Sequence, residues 1–149
     1  MTRRLPPHGW LGLALVAGAW PANWLLEGMR THLLFFPLWL GYVLFLDGCI
    51  ARRDGSSPAT RSPRAFAGLF ALSVPLWWLF EAANRVLLNW EYVGREQFSD
   101  VEYALLCSLS FSTVVPAVLV SAEWLRGHIL TGFPWNLVGY GWGLFPALL

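Results

Sequence analysis

Residues 103–122 read YALLCSLSFSTVVPAVLVSA, 20 uncharged residues bounded by Glu102 and Glu123. In a helix rising about 1.5 Å per residue, that run matches the roughly 30 Å hydrocarbon core of a bilayer. Ala104, Ser108 and Ser112 recur every four positions within it, a narrow stripe suited to close helix packing. Working outward, uncharged apolar runs also cover residues 9–26, 33–46, 65–80 and 129–149. Most of a 149-residue chain lies in such runs, which leaves no room among them for a sizeable water-soluble catalytic domain.

Composition agrees. Hydrophobic residues make up 56% and charged residues 13%, and ten of the aromatic side chains are Trp. That profile excludes disorder and an ordinary soluble domain. The formal charge of +1 points to neither nucleic acid nor an acidic partner. All ten basic side chains are Arg, which removes Schiff-base, lysine-base and phosphate-loop lysine chemistry. Cys49 and Cys107 have no metal or redox spacing and read as free buried thiols. His8, His32 and His128 are scattered and make no metal cluster, and no motif asks for a cofactor.

The expected fold is an all-α, polytopic transmembrane helix bundle of about four spans plus a broken or re-entrant fifth. It forms a single integral-membrane domain over 1–149, with spans near 9–26, 33–51, 65–85, 103–123 and 129–149. Ala17-Gly18-Ala19 resembles a signal-peptidase site, but the apolar run continues past Pro21 to Leu26, favouring an uncleaved first span. The last run holds four glycines and two prolines, poorly suited to one straight helix. It stops at Leu149 without a polar flank, so a continuation is expected.

Alternating the connections across the membrane groups Arg3, Arg4, Arg52, Arg53, Arg61, Arg64 and Arg126 on one side and Arg30, Arg85 and Arg95 on the other. The positive-inside rule then puts the N-terminus in the cytoplasm. Most of the Trp residues fall toward span ends, where indole rings anchor at the interface.

Four constellations carry possible chemistry. Glu81 and Arg85 lie one helical turn apart with Asn84 beside them, a candidate polar membrane site or a snorkelling pair. Asp47 reads as a partner of Arg52 or Arg53, or as a helix cap. Ser108, Ser110, Ser112 and Thr113 lack nucleophile-elbow glycines and a base, and read as interhelical contacts. Residues 123–140, EWLRGHILTGFPWNLVGY, describe an Arg set among aromatics before a backbone break that presents a rigid indole. Arg on a phosphate and aromatics beside acyl chains suit a lipid headgroup.

The pieces EWLRG and TGFPWNL-x-GY resemble the membrane domain of apolipoprotein N-acyltransferase, a bacterial inner-membrane enzyme that adds the third acyl chain to lipoproteins. The resemblance rests on residues 120–149. It implies that Trp124, Arg126, Gly132, Phe133, Pro134, Trp135 and Tyr140 line or support the opening through which lipid reaches a nitrilase-like domain. It also implies that the motif faces outward, whereas the arginine grouping puts Arg126 inside. The family's Glu-Lys-Cys triad sits in that nitrilase-like domain, and these 149 residues contain no Lys. The expected role is binding membrane phospholipid, and lipoprotein, with catalysis left to a separate domain. The alternatives are a small multi-pass scaffold or partner subunit using the Ala104–Ser108–Ser112 stripe, and a small transporter centred on Glu81 and Arg85.

Overall fold

The computed structural model describes residues 3–26, 28 and 30–127, without the side chains of 30–32. The expected fifth span, 129–149, lies outside the described residues. Among the described residues the structure is all helical. Its helices are α1 (Pro7–Leu25), α2 (Arg30–Asp54), the short α3 (Pro58–Arg61), α4 (Pro63–Leu87), α5 (Asp100–Phe111) and α6 (Val114–Arg126), with a 3-10 turn at Arg95–Gln97. Among the described residues, three stretches are long and apolar enough to cross a membrane: Leu33–Asp54, Pro63–Leu87 and the α5–α6 path Asp100–Arg126. The 19-residue α1 lies antiparallel along α2.

Glycine brings α1 and α2 together. A Cβ on Gly12 would lie 2.3 Å from the Phe45 nitrogen, and one on Gly48 would lie 2.6 Å from the Gly9 Cα. Gly9 and Gly48 meet with no side chain on either helix, and Gly12 lies on the α2 backbone at Gly41 and Phe45, so the two backbones touch. In a membrane, where lipid removes the hydrophobic drive between helices, such close packing is what holds a pair. The small-residue stripe predicted on α5 is not the main site of this packing.

The expected continuous span over 103–123 is two helices in tandem. Pro116 has no N–H to give the carbonyl four residues earlier, and its ring collides with that carbonyl. The chain therefore ends α5 at Phe111 and restarts at Val114. The break leaves a carbonyl and an N–H without helical partners, and Ser73 of α4 supplies both: its hydroxyl donates to the Phe111 carbonyl and accepts from the Val115 N–H at 3.0 Å. Pro37 lies inside α2, which begins at Arg30.

Helix starts follow local chemistry. Ser57 caps α3 in a reciprocal box with Thr60, Ser62 caps α4 ahead of Pro63, and Ser99 caps α5 in a box with Glu102. The core joins α2, α4 and α6 through Val43, Leu46, Ile50, Phe66, Ala117 and Val120. Tyr42 reaches Ser121 across the α2–α6 contact at 2.7 Å. Large apolar side chains such as Trp24 and Leu79 stay exposed on the outside, as lipid-facing positions do.

The bundle has two polar ends. One gathers residues 3–6, the α2–α4 connection and the end of α6, since Arg53 and Arg61 both reach α6 there. The other gathers the α1–α2 turn and residues 88–99. Arg3, Arg4, Arg52, Arg53, Arg61, Arg64 and Arg126 all belong to the first end, and Arg85 and Arg95 to the second.

Candidate functional site

At the first end the packing of Gly9 on Gly48 sets the preceding residues, His8 and Asp47, side by side. His8 Nε2 stands 2.9 Å from Asp47 Oδ2, and the Asp47 side chain is fully buried. Its carboxylate accepts the Ser57 hydroxyl at 2.6 Å and the Ala59 N–H at 3.0 Å. Asp47 therefore caps the start of α3 and faces His8, and among the described hydrogen bonds and ion pairs none joins it to Arg52 or Arg53. The sequence signal was the pair of dipeptides His8-Gly9 and Asp47-Gly48.

The same end is laced to α6. Arg61 and Glu123 form a two-pronged ion pair with both contacts at 2.9 Å. That pairing holds the Arg61 guanidinium above its usual pKa range, chiefly through the hydrogen bonds to Glu123. Arg53 donates to the Trp124 carbonyl at 2.8 Å and binds Asp54 through two nitrogens. Trp124 is half-buried against the core, and Arg126 is exposed at the last residue of α6. Gly132, Phe133, Pro134, Trp135 and Tyr140 lie outside the described residues.

At the second end, Glu81, Asn84 and Arg85 do not act as one unit. Glu81 Oε1 accepts the Tyr92 hydroxyl at 2.6 Å and the Trp90 indole N–H at 3.2 Å. Among the described ion pairs none joins Glu81 to Arg85, which is exposed. Asn84 closes the end of α4: its Oδ1 accepts the N–H groups of Asn89 and Trp90, and its Nδ2 donates to the Trp90 carbonyl. Burial, followed by the bond to Glu81, pushes the Tyr92 phenol up to about 12.

Beneath this network lies a cavity of about 450 Å³ between α4, α5 and residues 92–98, within the roughly 300–1,000 Å³ range of small-ligand pockets. Its walls are mainly apolar and include Trp77, Leu106, Phe111 and Val114, with Tyr92 and Arg95 toward the loop. Arg95 rests 4.3 Å from the centre of the Tyr103 ring. The Trp77 indole nitrogen is buried and makes no hydrogen bond, although it lies near enough to the Tyr92 hydroxyl to influence that phenol. An apolar slot with one donor in its wall has the chemistry to hold a group that is largely hydrocarbon and carries an oxygen acceptor. No sequence signal marked this cavity, because its walls come from residues far apart in the chain.

The other expected polar contacts divide. Ser108 accepts the Trp78 indole N–H at 3.0 Å, an interhelical bond. Ser112 and Thr113 instead turn back on the Leu109 and Ser110 carbonyls beside the helix break. Both cysteines are free, and among the described residues no group of three His, Cys, Asp or Glu side chains is placed to hold a metal.

No protein-family model and no solved structure matches the chain. Curated bacterial proteins do. The apolipoprotein N-acyltransferase of Caulobacter vibrioides is 30% identical over 170 aligned positions, covering 98% of this chain and 30% of that protein. The enzyme of the same name from Brucella suis is 32% identical over 126 positions, covering 72% of this chain and 24% of its own length. A stretch of 24 residues is 75% identical to the Bradyrhizobium diazoefficiens protein of that name. The similarity thus reaches well beyond residues 120–149, while the chain spans less than a third of the length of these relatives.

Proposed function

We propose that this chain, a bacterial membrane protein related to apolipoprotein N-acyltransferase over part of that protein's length, binds membrane phospholipid. Acyl transfer to lipoprotein would then fall to a separate catalytic domain, since the family's triad needs a Lys and these residues have none. The observation that carries this reading is the identity spread over 98% of the chain, well past one short motif.

The geometry supplies two places for lipid. The cavity near Trp77 suits an acyl chain, with the free indole N–H available to an ester carbonyl. At the opposite end, Trp124 and Arg126, followed in the sequence by Gly132, Phe133, Pro134, Trp135 and Tyr140, offer a cation and aromatics to a headgroup. The excess of arginine at that end supports placing it, with the N-terminus, on the cytoplasmic side of the inner membrane. The scaffold reading is weakened because Ser108, the middle of its stripe, is already bonded to Trp78. The transporter reading is weakened because Glu81 is engaged by Tyr92 and Trp90, with Arg85 outside the pair.

The test is photocrosslinking of the purified chain in nanodiscs that contain a phospholipid with a diazirine-bearing acyl chain. Adducts should concentrate on cavity residues such as Leu106 and on the stretch after Trp124. Leu106→Trp should fill the cavity and remove the first set; Arg126→Ala and Trp135→Ala should lower retained lipid with insertion intact. Adducts spread evenly over outward positions such as Leu79 and Leu105, unchanged in all three variants, would overturn the lipid-binding reading.

A further inference from the structure

At the first polar end, Arg3, Arg4, Leu5, Trp10 and Arg52 surround a concavity of about 450 Å³. Its three guanidinium groups are left over after local charge pairing. The carboxylates of that end are committed elsewhere: Asp47 to Ser57, Ala59 and His8, Asp54 to Arg53, and Glu123 to Arg61. Among the described ion pairs none includes Arg3, Arg4 or Arg52.

The concavity is also built. Gly55 adopts φ +86, and a Cβ there would stand 1.8 Å from Arg3 Nη1, so the Arg3 guanidinium lies directly on bare backbone. Arg52 occupies the last turn of α2. Trp10 is 60% exposed, one turn into α1, where an indole sits at the level of lipid headgroups. The start of α1 is uncapped by any side chain, because its N-cap is Pro6.

We infer that this concavity binds the phosphodiester headgroup of an anionic membrane phospholipid. Three planar forks match phosphate oxygens in pairs, and apolar Leu5 and Trp10 meet the glycerol and the first methylenes of the chains. A free phosphate shares the charge but gains nothing from the apolar wall, so the lipid is the occupant the lining selects. The site is separate from the cavity near Trp77 and from Trp124 and Arg126, and it does not depend on the acyltransferase relationship.

The experiment is native mass spectrometry of the whole chain, released from mixed micelles of phosphatidylglycerol and phosphatidylcholine. The wild type should retain phosphatidylglycerol over phosphatidylcholine. Arg3→Gln and Arg4→Gln should each reduce that preference about fivefold, in line with the worth of one Arg at an anionic surface. Arg64→Gln, at the same end but outside the concavity, should leave it unchanged. Melting temperatures of the three variants matching the wild type would show that folding is intact; if Arg3→Gln or Arg4→Gln melts early, Trp10→Ala serves in its place. Excess soluble glycerophosphoglycerol should fail to displace the lipid. Equal losses from Arg64→Gln and Arg3→Gln, no loss from Arg3→Gln and Arg4→Gln, or full displacement by the soluble headgroup would each overturn the assignment.

Discussion

The Ser73 hydroxyl donates to the carbonyl of Phe111, and the same oxygen accepts the N–H of Val115, so one buried side chain on α4 bridges the gap between α5 and α6. Pro116 makes the gap necessary and Ser73 makes it tolerable in a medium that offers no water to the freed backbone groups. Ser73→Ala strands both groups in a site only 1% exposed. The expected cost is about 1–3 kcal/mol for the unpaired groups, read as a lower midpoint when the chain is unfolded with SDS in mixed micelles. A Pro116→Ala background, in which a continuous helix can form, should remove most of that penalty.

The α1–α2 hairpin predicts a contrast between two glycines in one helix. A Cβ at Gly12 would meet backbone atoms of Phe45 and Gly41, which cannot swing aside. Gly12→Ala should therefore separate the two helices and lower the unfolding midpoint sharply. At Gly18 no heavy atom lies within 4 Å of the built Cβ. Gly18→Ala should leave the midpoint unchanged or raise it by about 0.5–1 kcal/mol, the ordinary gain from Ala in a helix interior.

Asp47 and Glu123 predict opposite sensitivities at the same end of the bundle. Asp47→Ala removes a fully buried acceptor from the Ala59 N–H and the Ser57 hydroxyl and the carboxylate beside His8, and should cost about 3 kcal/mol or more. Glu123→Gln breaks an ion pair whose Arg61 side chain is 49% exposed, and should cost no more than about 1 kcal/mol. Equal losses in the SDS titration would mean that Asp47 is not the anchor of α3.

Local rules reached much of this architecture. The apolar runs located α1, α2, α4 and the α5–α6 path, and the alternation of arginines between connections anticipated which ones share an end. Three features escaped. Pro116 was read as part of one continuous run because its effect depends on Ser73, 43 positions earlier, being there to satisfy the break. The glycine contact escaped because Gly9, Gly12, Gly41 and Gly48 signal packing only once two helices are known to be antiparallel neighbours. Glu81 was assigned to Arg85 on helical spacing, but Tyr92 and Trp90 fold back from the following loop and take the carboxylate first.

That loop gives a pH signature. Tyr92 is held near pKa 12 by burial and by its bond to Glu81, against about 10 for a free phenol. A phenol that binds its proton more tightly when folded adds stability that is complete below pH 10 and is lost as pH rises through about 12. The unfolding midpoint of the wild type should therefore fall across that interval, while Tyr92 ionises late in a titration followed by tyrosinate absorbance. Tyr92→Phe should remove one tyrosine from the late part of the titration and flatten the fall, while Glu81→Gln should move the ionisation of Tyr92 toward 10 without deleting it. A midpoint that falls as steeply in Tyr92→Phe as in the wild type would assign the pH dependence to another group and detach the loop from Glu81.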